Sequence, residues 1–73
     1  MWQVRGIEFT CWVEAVQYAQ EEAKLAVGTA SHLYTRREGR WELVGWCVCR
    51  RNGAVYWEMA QLVLFGAQVL KVA

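Results

Sequence analysis

The residues best suited to chemistry are three cysteines, one histidine and seven glutamates, because the chain has no aspartate. Cys47-Val48-Cys49 sets two thiols on one face of an extended segment. A hairpin at Asn52-Gly53 brings Glu58 opposite Cys47, and His32 lies on the preceding strand. Zinc sites take their ligands from pairs spaced about two to four residues apart on turns, so that the donors converge tetrahedrally. One intervening residue on a strand points both sulfurs in parallel instead. The spacing therefore predicts small apolar side chains in a sheet, with no bound metal and no other cofactor.

Cys11 stands at the first position of an expected helix, where the helix dipole favours a thiolate. A thiol catalyst also needs a base and a group that orients the base. The single histidine is distant in sequence, and no orienting residue is identifiable. A Ser-His-Asp set is excluded outright without aspartate, and the usual magnesium and calcium ligands go with it. The expectation is a non-enzymatic protein.

Arginine and aromatic residues form the other chemical grouping. Arg36, Arg37 and Arg40 flank one turn, Arg50 and Arg51 flank another, and Tyr34, Trp41 and Tyr56 lie along the strands between. These residue types are enriched in protein interfaces, where the aromatic supplies contact area and the guanidinium pairs with carboxylates. They also stack and neutralise single-stranded nucleic acid. Net charge is only +1, and it is segregated: residues 1–31 hold four glutamates against Arg5 and Lys24, whereas residues 32–58 hold five arginines against three glutamates. That weak excess favours a protein partner over nucleic acid. Tyr34, Arg36, Arg37, Arg40, Trp41, Arg50, Arg51 and Tyr56 are the expected partner-binding residues.

The elements that must position them read as follows. Trp2 to Phe9 forms a strand folded at Arg5-Gly6. Thr10 is the expected N-cap of a helix from Cys11 to Val27, in which Trp12, Ala15, Val16, Ala19, Ala23 and Ala26 recur at spacings of three and four. Glu14, Gln17, Gln20, Glu21 and Lys24 occupy its opposite face, and Gly28 is placed to end it. Strands follow at Ser31–Arg37, Arg40–Arg51 and Ala54–Phe65, joined by two-residue turns at Glu38-Gly39 and Asn52-Gly53.

Such turns set Leu33 opposite Val44, Tyr34 opposite Leu43, Arg51 opposite Ala54, Cys49 opposite Tyr56, Val48 opposite Trp57 and Cys47 opposite Glu58. Leu33, Val44, Trp46, Val48, Val55, Trp57 and Met59 then make the face that the helix covers. Tyr34, Arg36, Trp41, Leu43, Cys47, Cys49, Tyr56 and Glu58 make the open one. A bulge at Gly45 would exchange the two faces for part of that long strand. Trp12, Trp46 and Trp57 are assigned to the core, Trp41 and Trp2 to positions outside it. The end of the chain, Met59 to Val72, fits a helix by period as well, but its Val and Leu run and its glycine favour strand, with Gly66-Ala67 turning into a last strand at Gln68–Val72.

The whole is one domain of residues 1–73, of the α+β class: one amphipathic helix on an antiparallel sheet of about four to five strands, in the order β-α-β-β-β with an extra terminal strand. Five tryptophans and a 56% hydrophobic composition in 73 residues leave apolar surface once the core is filled, which predicts a protein partner or a homodimer. No apolar stretch reaches the roughly 20 residues of a membrane span. Three cysteines are an odd, sparse set, and Met1 to Arg5 lacks the pattern of a signal peptide, so the expected compartment is the cytoplasm.

The stretch Ile7-Glu8-Phe9-Thr10-Cys11-Trp12-Val13-Glu14-Ala15, a strand running into a helix ahead of antiparallel strands, resembles small phage-encoded inhibitors of host enzymes or of CRISPR complexes. The resemblance transfers no individual residue. It implies a compact protein that works by occupying a binding site on a larger complex.

Overall fold

The structure is a computed structural model that describes residues 1–60 in full, together with the backbone of two short strands at Val63–Leu64 and Gln68–Val69. Strands β1 (Trp2–Val4) and β2 (Ile7–Phe9) form the first hairpin, helix α1 spans Trp12–Leu25, and β3 (Ser31–Arg37), β4 (Arg40–Cys49) and β5 (Val55–Met59) follow. All pairings are antiparallel, and the five strands lie in the order β2-β1-β3-β4-β5. This is the α+β arrangement expected, one helix on one face of an antiparallel sheet. Strands β6 (Val63–Leu64) and β7 (Gln68–Val69) pair with each other as a separate two-stranded ribbon. Both are strands, as the chain end reads, but the expected single strand Ala54–Phe65 is not continuous: β5 stops at Met59 and Val63–Leu64 belongs to the separate ribbon. Residues 61, 62, 65–67 and 70–72 lie outside the described residues.

The turn at Arg5-Gly6 and the one at Glu38-Gly39 each place two residues at positive φ, 50° and 81° in the first and 51° and 78° in the second. Two consecutive left-handed residues are the signature of the type I′ turn, whose twist matches that of the flanking strands. Both hairpins therefore have two-residue loops, as their sequences imply.

The helix presents a stripe of alanine to the sheet. Ala15, Ala19 and Ala23 are fully buried against Leu33, Cys47, Cys49 and Val4. Small side chains let the helix approach closely enough for the Cys47 thiol to donate to the Ala19 carbonyl at 3.4 Å. Gln20, assigned to the solvent face by period, instead accepts from the Trp57 indole N–H at 2.8 Å and ties α1 to β5. The N-cap is Cys11 rather than Thr10, with extended backbone and no side-chain cap. Strand β2 stays paired with β1 as far as Phe9, and the chain uses the next two residues to leave the sheet. At the other end Ala26 is the C-cap, and Gly28 follows with φ +87°, its N–H held by the Cys49 carbonyl at 3.1 Å.

Two features of β4 differ from the simple register. Between Leu33 and Tyr34 the β3–β4 ladder shifts by one: Tyr34 faces Leu43 as expected, but Leu33 faces Gly45 rather than Val44. This is the bulge that Gly45 foreshadows, and it turns Cys47 and Cys49 inward and Trp46 and Val48 outward. The hairpin between β4 and β5 is closed by three residues rather than two. Arg50 donates to the Ala54 carbonyl, Gly53 donates back to the Arg50 carbonyl, and Gly53 sits at φ +86°. Asn52 Oδ1 accepts from the Ala54 N–H at 2.9 Å, which locks the loop. Cys49 consequently faces Val55, Val48 faces Tyr56, Cys47 faces Trp57 and Trp46 faces Glu58.

The two one-residue shifts have opposite sense and offset each other beyond the second turn. Val55, Trp57 and Met59 therefore face the helix as the sequence predicts, although β4 between them and β3 is reversed. Trp2 also departs from expectation and packs on the core, its ring 5.6 Å from that of Trp12.

Among the described glycines Gly45 is the one where a side chain has no room, since a Cβ there would lie 2.5 Å from the Glu58 carbonyl oxygen and 3.2 Å from the Met59 Cα. Those are backbone atoms of β5 and cannot rotate away. Gly45→Ala should lower the unfolding free energy by about 1–3 kcal/mol, read from urea denaturation, with far-UV circular dichroism of the folded protein unchanged.

Candidate interaction face

With the helix on one side, the other side of the sheet carries a run of aromatic rings. Cross-strand partners share a face, so the pairs His32–Trp46, Trp46–Glu58, Val48–Tyr56, Tyr34–Leu43 and Arg36–Trp41 all lie on this open side. His32 sits between two of its neighbours, its ring centroid 6.5 Å from Tyr34 and 5.9 Å from Trp46. At one end of the row the Arg36 guanidinium stacks over Trp41, 5.3 Å from the ring centroid. At the other, Arg50 stacks over Tyr56 at 5.0 Å. Each such contact is worth about 0.5–1 kcal/mol at an exposed site, enough to hold the guanidinium flat while its N–H fork stays free.

Of the eight residues singled out by sequence, the structure brings Tyr34, Arg36, Trp41, Arg50 and Tyr56 to this one face. Arg37 and Arg40 pair directly across β3 and β4, and strand alternation sends them to the helix side, where Arg37 reaches Glu42 at 3.8 Å. Arg51 is exposed in the Asn52-Gly53 loop. The five-arginine patch is thus divided, and the open face retains two arginines against Glu58 and Glu8, the latter on the same side through the Gln3–Glu8 and Gln3–Tyr34 pairs.

Sequence reasoning placed Trp46 and Val48 in the core and missed them here. The signal was Gly45 next to Trp46: a glycine inside a strand is a common place for a bulge, and one extra residue reverses every side chain after it.

The Cys-Cys-His-Glu grouping does not converge. Cys47 and Cys49 are buried under the helix, and His32 and Glu58 lie on the opposite side of the sheet. Among the described residues no group of three His, Cys, Asp or Glu comes together as a metal site. Burial pushes the Cys47 thiol above its ordinary pKa of 9.0, which suits packing and opposes nucleophilic use. Cys11 is exposed at the helix start, and His32 lies in the aromatic row on the other side of the sheet.

Two recesses flank β5. The larger, about 430 Å³, opens beside Val27, Val48, Arg50, Arg51, Tyr56 and Glu58. The smaller, about 250 Å³, is almost wholly apolar and is lined by Trp12, Val16, Leu33, Trp57 and Met59 on the helix side. No described helix is long and apolar enough to cross a membrane. The fold and this face together define a small helix-on-sheet domain with an aromatic sheet face that no other element covers among the described residues. No family model, curated protein or solved structure matches the chain.

The thiols give a direct check on these placements. In the native protein a thiol-specific reagent should label Cys11 alone, with Cys47 and Cys49 reacting only on unfolding. The raised Cys47 pKa stabilises the fold below pH 9, where both states hold the proton. As pH rises past 9 the unfolded chain ionises first, so stability should decline there, and Cys47→Ala should flatten that decline.

Proposed function

We propose that this chain is a small non-enzymatic protein-binding module that captures its partner on the open sheet face. The observation that supports this reading is the row of His32, Tyr34 and Trp46 ending at both sides in an arginine-capped aromatic, on a surface the helix leaves bare. Trp46, Tyr34, Trp41 and Tyr56 supply area that is gained when water is expelled, and Arg36 and Arg50 pair with carboxylates at the rim. In its finer form the module is an inhibitor encoded by a phage or other mobile element, which blocks a larger host complex in the cytoplasm by covering a site that complex uses. The resemblance of Ile7–Ala15 to such inhibitors supports that form.

Single-stranded nucleic acid is the second reading, favoured by the spacing of stackable rings along the strands. The division of the arginines weighs against it, because two cations facing two carboxylates on this surface give little attraction for a polyanion.

Immobilised protein incubated with lysate, with and without nuclease and high salt, distinguishes these readings. A stoichiometric partner resistant to both treatments is expected from the wild type, and Trp46→Ala combined with Arg36→Glu should abolish its capture while the thermal melt stays within a few degrees. Undiminished capture by that variant would overturn the open face as the site. Binding of an oligonucleotide with a log–log salt slope of about −1.4, the value for two released counterions, would transfer the face to nucleic acid.

A further inference from the structure

Strand β5 ends the sheet, among the described residues, with an open edge. Among the described residues nothing pairs with its outer side, and Val55-Tyr56-Trp57-Glu58-Met59 contains no proline, lysine or bulge of the kind that blunts an edge. The opposite edge, β2, is only three residues long. The ladder fixes which groups of β5 are free. Arg50 and Ala60 donate to the Ala54 and Val44 carbonyls, so the alternation of an antiparallel pair turns the N–H and C=O of Tyr56 and Glu58 toward β4. Those of Val55, Trp57 and Met59 point outward.

From this edge we infer that the protein forms a two-fold dimer in which β5 pairs antiparallel with β5 of a second copy, centred on Trp57. Centring there sets Trp57 opposite the partner's Trp57 and Val55 opposite the partner's Met59, which matches outward-pointing backbone groups with one another at every position. The side chains match as well. On the helix side, Val55, Trp57 and Met59 meet their counterparts beside the apolar recess of Trp12 and Val16. On the open side, Tyr56 lies opposite the partner's Glu58, and the Arg50 guanidinium stacked on Tyr56 is carried to that carboxylate, twice by symmetry. The five residues are thus self-complementary in hydrogen bonding, hydropathy and charge, which an isologous interface demands. Pairing of this sense joins the two sheets into one of ten strands with both helices on the same side. The two open faces become a single surface twice the size.

Sedimentation equilibrium or light scattering of the purified chain tests this. A species of twice 8.4 kDa is expected at micromolar concentration. Glu58→Arg and Arg50→Glu should each raise the dissociation constant at least about tenfold by placing like charges in contact, and the two together in one chain should restore it, because the pair is then reversed intact. Both residues are exposed, so the fold tolerates the changes. Trp46→Ala should leave the mass unaltered. A mass of 8.4 kDa persisting to submillimolar concentration would overturn the inference. So would a dimer that ignores both reversals, or one lost with Trp46→Ala, which would place the contact on the open face. Because partner capture and mass are read separately, failure here leaves the binding reading intact.

Discussion

The helix can lie on this sheet only because the stripe it presents is alanine. Ala15, Ala19 and Ala23 are fully buried, and their size brings the helix axis near enough for the Cys47 thiol to bond the Ala19 carbonyl. Interiors are close-packed, so a larger side chain at any of the three would lift the helix and lose the contacts of all. The floor beneath must be equally compact, and Leu33, Cys47, Cys49 and Val4 provide it. The aromatic residues are displaced to the margins of this contact. Trp2, Phe9, Tyr18 and Trp57 pack round it, and Trp46 is turned to the far face.

That displacement governs the functional surface. Among the described residues a single helix covers one side of a five-stranded sheet and the opposite side is left open, so it must be made of residues that tolerate both water and a partner. Aromatics with polar edges and arginines stacked flat meet that condition: their rings bury area when a partner arrives, and their N–H and O–H groups stay solvated until then. The charge on the face is balanced, with Arg36 and Arg50 at its ends and Glu8 and Glu58 at its sides. Recognition here therefore depends on shape and local pairing more than on long-range attraction. The salt bridges Arg5–Glu22, partly exposed, and Arg37–Glu42, exposed, are worth at most about 1 kcal/mol each.

The bulge at β4 and the three-residue loop after it show how little separates the two faces. Either shift alone would send Trp57 to the open side and break its bond to Gln20. Together they return β5 to the orientation that its pattern demands, while leaving the middle strand reversed. Gly45 permits the first shift because the β5 backbone passes where its Cβ would stand. Asn52 and Gly53 secure the second by an Asx hydrogen bond and a left-handed residue.

By themselves the residues determined the elements: the alanine period of the helix, the type I′ turns at Arg5-Gly6 and Glu38-Gly39, the α+β class, and the inward side of β5. These are local properties, settled by backbone preference and by periodicity within one segment. The sequence also identified Tyr34, Arg36, Trp41, Arg50 and Tyr56 as surface candidates: the first three lie beside the Glu38-Gly39 turn, where the simple register holds, and Tyr56 keeps its side because the two later shifts cancel on β5. Only the tertiary structure decided that Cys47 and Cys49 lie under the helix and that Trp46 and Val48 do not. Those outcomes depend on a one-residue slip between strands. Gly45 marks where such a slip can occur, but the pattern of β4 does not report whether it does, since β4 is apolar on both sides and either register buries something acceptable. The choice fell to packing: two small thiols fit beneath an alanine helix, and two bulkier side chains do not.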